Sequence, residues 1–451
     1  MSALWTSADA QAATLGHASA AFGASGISID TRTLVRGDLF VALKDARDGH
    51  DFVPAAFAAG ASAAMVSRML ESNGPLLTVA NTLRGLEDLA RAARVRSNAK
   101  IVAVTGSAGK TTTKEILRIA LGALGSTHCS AASFNNHWGV PLSLASMPAE
   151  ARYAVLEIGM NHFGEIRALV GMVRPQVALV TTIAPAHLAF FGSCEAIADA
   201  KSEIFEGLEA GGAALIPADS PYGERLAQRA RQIHAGRVLR FGSGPDCDAR
   251  LSSYDAIDAG ARIGAEVFGT PVEFVLGAPG RHIAVNALAA LLAVAVLEGD
   301  VLNAAAALKS FGPLKGRGAR FSAGGIEVID ESYNANPASM AAALALLGEA
   351  KGRRIAVLGD MLEMGADAAS HHASLAAPIE AARADLVFLC GPNMRALWDK
   401  LPASRRGGHA LSAGELIPLL MRELRDGDVV LVKGSNGMKL SAAIDALKVR
   451  G

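Results

Sequence analysis

One run in the chain has the residue types, in the order, that holding a polyphosphate needs. After the apolar strand candidate Ile101 to Thr105 come Gly106, Ser107, Ala108, Gly109, Lys110, Thr111 and Thr112, and from Lys114 the chain takes on a helical period. Glycines let backbone N–H groups turn toward an anion at a helix start. A lysine there reaches terminal phosphates, and the hydroxyl beside it can ligate Mg²⁺. The common GxxxxGK[ST] spacing is not met, because Val104 stands five before Gly109; a shorter TGSxGKTT loop takes its place. The plain alternative is a glycine-rich turn that merely starts a helix.

Three ionisable groups follow at strand and helix positions that invite a second reading. Glu157 closes the apolar run from Tyr153. A carboxylate at a buried strand tip needs either backbone N–H donors or a counter-charge such as Mg²⁺. His187 follows the run from Val177 to Ile183, at the carboxyl end of a strand where open α/β sheets place ligands, yet a satisfied loop histidine reads the same way. In the helical segment Ala196 to Leu208, Lys201 lies four after Ile197 and three before Ile204, on the apolar stripe. It either snorkels to the edge of the core or is a sheltered, neutral amine that can take up CO₂ to become a carbamate.

Elements must hold these groups in place. At 451 residues the chain has room for about three domains of roughly 100 to 200 residues. Short β-branched runs alternate with Ala-rich helical segments, the pattern of a parallel α/β sheet. Strands are expected at Ile101–Thr105, Ala154–Ile158, Ala178–Ile183, Ala213–Ile216, Arg354–Leu358, Leu386–Leu389 and Val429–Val432. Polar-apolar alternation from about Asp246 to Phe274 adds antiparallel strands late in the middle domain. An Arg-rich amphipathic helix from Asn81 to Asn98 and the Gly/Pro-rich segment Phe311 to Gly318, read as an exposed linker, divide the chain near Leu83 and Pro313. The expected domains are 1–83, 84–313 and 314–451.

Composition narrows the function. Lys plus Arg number 43 and so do Asp plus Glu, a net charge of zero that argues against nucleic acid or a polybasic membrane contact. Hydrophobic residues make up 51%, but the oiliest stretch, Ala287 to Leu297, is far shorter than a bilayer span and reads as a buried helix. No secretory pattern opens the sequence, and the four cysteines are far apart, so a cytoplasmic setting is expected.

Taken together, the residues resemble the Mur ligases of peptidoglycan synthesis along essentially the whole chain. The resemblance rests on TGSAGKTTTKE (Thr105–Glu115), Asn135-Asn-His-Trp-Gly-Val-Pro-Leu142, Glu157, Ala184-Pro-Ala-His187, Lys201, Gly280-Arg-His-Ile-Ala-Val-Asn286, Gly316-Arg317, Asp330-Glu-Ser-Tyr-Asn-Ala-Asn-Pro337 and Val432-Lys433-Gly-Ser435. Near the start, Asp30-Thr31-Arg32 and Lys44 with His50 are similar to the family's uridine-nucleotide segments.

The resemblance implies three α/β domains: one binding a uridine nucleotide, a central P-loop ATPase domain with a parallel sheet, and a Rossmann-like C-terminal domain. It implies ATP held by Gly106 to Thr112, a first Mg²⁺ at Thr111 and Glu157, and a second served by His187 and carbamylated Lys201. Asn135 would steady the γ-phosphate. Asn286, Tyr333 and Asn334 would lie near adenine, and Arg317 with Asp330 or Glu331 would work at the domain junction. The implied reaction is ATP-dependent joining of D-alanyl-D-alanine to UDP-N-acetylmuramoyl-tripeptide by a monomer. The rivals are a sister ligase that adds the third amino acid, a folylpolyglutamate synthase, and a non-catalytic nucleotide-binding module.

Overall fold

The computed structural model describes residues 3–130, 134–185, 188–233, 236–258, 260–312, 314 and 316–450. Three sheets of five, nine and six strands carry the fold, with a two-stranded ribbon beside the first.

The five-stranded sheet runs in spatial order His17–Ala18, Leu76–Thr78, Ala63–Val66, Asp38–Val41 and Gly26–Ser28. Its side chains alternate between two cores. Leu39, Val41, Ala63 and Met65 enter a core shared with Ile101 and Ala103 of the central sheet, while Phe40, Ala42, Ala64 and Val66 build a small core on the outer face. Trp5 tightens the join: its Nε1 donates to the Ala145 carbonyl at 2.9 Å, and the Arg96 guanidinium stacks on its ring at 4.0 Å. The helix Thr82–Arg96, capped by Asn81 Oδ1 accepting from Arg84 N, lies along this seam.

The nine-stranded sheet is parallel through its strands Arg237–Gly242, Ala213–Pro217, Val177–Val180, Lys100–Thr105, Tyr153–Glu157 and Thr127–Cys129. Residues 101–105, 153–157, 177–180 and 213–217 are buried on both faces and read as near-continuous apolar runs, as a covered parallel sheet requires. The predicted late strands are present as Ala249–Ile257, Gly260–Val267 and Thr270–Leu276, an antiparallel extension at one edge. The apolar stretch around Ala287 belongs to the buried helix Arg281–Val296.

The six-stranded sheet has an antiparallel edge strand, Ala319–Ala323, and five parallel strands, Ile326–Glu331, Asp428–Lys433, Arg353–Gly359, Leu386–Cys390 and Arg406–Ala410. Its two cores are its own; Leu188 is the central-body residue packed against one of them. The first two sheets are thus welded through a common apolar core, whereas the third sheet keeps two cores of its own.

Three expectations need correction. The strand at Ala178 stops at Val180, because Thr181 and Thr182 turn aside to bond the phosphate loop. The helix carrying Lys201 ends at Ser202 and continues as a 3₁₀ turn, Glu203–Gly207. The tightened turn directs the Glu203 carboxylate onto the N–H groups of Gly164 and Arg167. The segment from Phe311 is not an exposed linker, since Phe311 is buried and Gly316 N donates to Asp330 Oδ2 at 3.1 Å. Gly316 takes a left-handed φ of 72°, and a Cβ there would sit 3.0 Å from that of Tyr333, so the close approach suits glycine. Pro313 itself is outside the described residues.

Candidate active site

The phosphate loop is built by strand Lys100–Thr105 delivering the chain to helix Lys110–Gly122. Gly106 cannot carry a side chain, because a Cβ would lie 1.9 Å from Thr181 Oγ1; Gly109 caps the helix at φ 80° with no side-chain acceptor. The N–H groups of Ala108, Gly109 and Lys110 have no partner among the described residues. They form an anion site together with the positive end of the helix.

The loop's carbonyls, by contrast, are held. Lys110 Nζ donates to Gly106 O at 2.8 Å, Thr181 Oγ1 to Ala108 O at 2.5 Å and Thr113 Oγ1 to Gly109 O at 2.9 Å. Ser107 is pinned on both sides: its N–H donates to Thr182 O, and its hydroxyl donates to Ala184 O at 2.9 Å. The threonine at 181 was not singled out in the sequence, and its signal is faint, a Thr-Thr pair at the end of an apolar run.

Glu157, buried at the tip of Tyr153–Glu157, accepts from Thr111 Oγ1 at Oε2 and from Asn135 Nδ2 at Oε1, both at 2.7 Å. The acid therefore has hydroxyl and amide donors here, and this answers the question its burial raised. These oxygens suit a hard cation. No group of three or more His, Cys, Asp or Glu that could hold a metal ion occurs among the described residues. Sparse protein ligation is what Mg²⁺ uses when substrate phosphates and water supply the remainder. His187 lies outside the described residues.

Lys201 is buried, 2% exposed, and lines the same cavity as Lys110, Glu157 and Asn135. Burial, and secondarily the Lys110 charge, push its pKa well below the ordinary lysine value. Among the described residues nothing accepts a hydrogen bond or forms an ion pair with its amine. Lys110 is also lowered, first by burial; the Glu157 carboxylate acts the other way.

The cavity measures 870 Å³ and runs between the central and C-terminal bodies. Ser107 to Lys110, Thr112, Asn286, Arg317, Glu331, Tyr333 and Asn334 all line it. Arg317 stacks on Tyr333 with its guanidinium carbon 4.1 Å from the ring centroid. Asn286 sits behind the loop, its amide 2.9 Å from where a Cβ on Gly109 would stand. Asp330 and Glu331 separate cleanly. Asp330 is buried with both carboxylate oxygens engaged, by Gly316 N and by Ser332 N and Oγ. Glu331 faces the cavity and accepts from Lys433 Nζ at 3.2 Å. Lys433, recognised as part of a motif but not as a site residue, joins the wall through this pair.

None of Asp30, Thr31, Arg32, Lys44 and His50 lines this cavity. Arg32 donates to Asp30 in a two-point pair with a 2.6 Å contact that holds the Asp30 carboxyl down at about 2. Lys44 is exposed. His50 is buried, with Nδ1 2.6 Å from Asp48 Oδ1 and Nε2 accepting from Ser67 N at 2.9 Å, so both ring nitrogens are used inside the first body.

A phosphate loop feeding a cavity shared by two α/β bodies, with acid, amide and buried amine around it, defines a nucleotide-dependent enzyme class. Residues 104–294 match the Mur ligase middle domain and residues 316–436 the Mur ligase, glutamate ligase domain. The chain belongs to the Mur ligase family.

Within that family it resembles the UDP-N-acetylmuramoyl-tripeptide--D-alanyl-D-alanine ligases, the MurF type. The Escherichia coli enzyme of that name is 37% identical over 94% of both chains. The crystal structure of MurF from Acinetobacter baumannii superposes with a TM-score of 0.87 at 29% identity, covering 99% of each chain. MurF ligase from Thermotoga maritima, solved in complex with ADP, gives 0.79 at 25% identity over 94% of this chain and 97% of that one.

Proposed function

We infer that the chain joins D-alanyl-D-alanine to UDP-N-acetylmuramoyl-tripeptide at the expense of ATP, through an acyl phosphate, as a monomer in the cytoplasm. Its relatives bear the name of that reaction over nearly their whole length. The observation that carries the reading is the single cavity in which Lys110, Glu157 and Lys201 meet Arg317, Glu331 and Tyr333 from the C-terminal body. No helix among the described residues is long and apolar enough to cross a membrane.

A carboxylate is a poor electrophile. Attack by its oxygen on the γ-phosphorus forms a C–O–P anhydride and releases ADP; the dipeptide amine then adds to the acyl carbon, and the tetrahedral intermediate expels inorganic phosphate. The loop N–H groups and Lys110 bind the β- and γ-phosphates and take up charge as it shifts to the leaving oxygen. Thr111 and Glu157 would hold Mg²⁺, which would supply charge neutralisation between the two anionic reactants. Asn135 fixes the Glu157 oxygen that does not face Thr111. The neutral amine of Lys201 suits carbamylation: its lone pair forms an N–C bond to CO₂, a C=O pair moves to oxygen, and the amine proton leaves to solvent. The resulting anion, with His187, would serve a second Mg²⁺. Tyr333, Asn334 and Asn286 flank the base, and Glu331 rather than Asp330 is available to the ribose.

The uridine nucleotide belongs on the first body, 1–83, ATP on the second, 84–313, and the dipeptide on the third, 314–451. Closure across the cavity brings the amine to the acyl phosphate and excludes water that would hydrolyse it. The test is ADP release with ATP, the UDP-tripeptide and D-alanyl-D-alanine. Release that requires both acceptor substrates supports the reading, and background release with all present refutes it.

A further inference from the structure

Of the four loop carbonyls from Gly106 to Gly109, three are held from within the central body. The fourth, Ser107 O, accepts from Asn336 Nδ2 at 3.2 Å, a residue 229 positions away on the C-terminal body. Asn336 is 7% exposed and lines the cavity.

Its side chain does two jobs at once. Oδ1 accepts from Ser339 N at 2.9 Å, and Asn336 N donates the reciprocal bond to Ser339 Oγ at 3.0 Å, capping helix Pro337–Gly348. The amide nitrogen is left over and points at the loop. Because a peptide's C=O and N–H are fixed antiparallel in one plane, a donor on Ser107 O sets the direction of the Ala108 N–H, one of the groups left facing the anion.

We propose that Asn336 is a positioning residue through which seating of the C-terminal body completes the anion-binding geometry of the phosphate loop. The loop is then fully set when the two bodies are together, so the phosphates are gripped in the closed form in which the dipeptide's carrier is also in place. This rests on the nucleotide reading of the loop. It adds a residue outside the phosphate contacts themselves, acting through Ser107.

Full-length Asn336→Ser and Asn336→Asp separate the two jobs. Both residues cap a helix about as well as asparagine, but neither offers a donor that reaches Ser107 O. Both variants are expected to melt at the wild-type temperature. Each should weaken ADP binding and raise KM for ATP by about three- to tenfold, the scale of one hydrogen bond. In the ADP-bound protein, amide hydrogen exchange at Ala108 and Gly109 should be faster. Asn336→Ser with wild-type ADP affinity and exchange would overturn the proposal, as would a lowered melting temperature with unchanged nucleotide parameters, which marks a cap alone. Wild-type protein run in the same ligation assay tells the two ideas apart: if it fails to ligate, the ligase reading falls, while ADP affinity and exchange still decide the role of Asn336.

Discussion

Thr111 Oγ1 donates to Glu157 Oε2 at 2.7 Å, and this meeting follows from strand register: Lys100–Thr105 and Tyr153–Glu157 pair in parallel with Glu157 opposite Val104. The acid is thereby carried to the level of the loop that opens one residue after Thr105. Glu157→Gln keeps an acceptor for one donor and removes the charge. It is predicted to lower kcat by about 100-fold or more, the scale seen when one preorganised electrostatic contact is lost, with an unchanged melting temperature. Steady-state kinetics over a range of Mg²⁺ concentrations check this; wild-type kcat would remove Glu157 from the chemistry.

Lys201 is placed for function at the expense of stability. A lysine whose pKa is lowered in the folded state binds a proton more readily when unfolded, so stability rises with pH from the lowered value up to the ordinary lysine range and the penalty is largest below it. Lys201→Met, in bicarbonate-free buffer, is predicted to stabilise the protein at pH 7 by about 1–4 kcal/mol, as apolar replacements of buried ions have done. The gain should shrink as pH rises from the lowered value toward the ordinary lysine range and be smaller at pH 10 than at pH 7. Denaturant unfolding at pH 7 and pH 10 measures both values.

The same residue gives a chemical test. Lys201→Ala should lose activity, and short carboxylic acids or bicarbonate should restore part of it by supplying an anion to the vacated space. Full activity without rescue would exclude the carbamate role.

Asp330 and Glu331 should divide structure from binding. Asp330→Ala leaves Gly316 N and Ser332 without their acceptor and is predicted to destabilise by about 1–3 kcal/mol per unsatisfied buried group. Glu331→Gln preserves an acceptor for Lys433 and is predicted to raise KM for ATP with little change in stability. Thermal unfolding beside ATP kinetics decides it, and the opposite pattern would reverse the assignment.

Trp5 ties the first body to the second through Ala145 and Arg96. Trp5→Ala is predicted to cost about 3–5 kcal/mol, as large buried aromatics do, which denaturant unfolding can measure.

The chemistry of the loop was legible because it is local. Glycine spacing, Lys-Thr and an apolar strand before them require no distant partner to be read. Lys201 was legible through periodicity, since a lysine on an apolar stripe contradicts the rest of its helix. The late antiparallel strands were legible through alternation. What the sequence could not display depends on long-range geometry. Thr181 gains its role only when its strand lies beside Lys100–Thr105. Asp330 and Glu331 are neighbours that the pleat turns to opposite sides, one into the core and one to the cavity. Asn336 reads locally as a helix cap, which it is, while its second bond needs the C-terminal body to be docked. The segment from Phe311 has the Gly and Pro of a linker, yet Gly316 serves a tight approach to Tyr333.

The central claim is that phosphorus is transferred to the tripeptide carboxylate before the amide forms. UDP-N-acetylmuramoyl-tripeptide carrying ¹⁸O in its terminal carboxylate, turned over with ATP and D-alanyl-D-alanine, tests it directly by mass spectrometry of the released phosphate. An acyl phosphate requires one carboxylate oxygen to leave with phosphorus, so labelled phosphate is predicted in step with the pentapeptide product. Product formed with unlabelled phosphate would contradict the account.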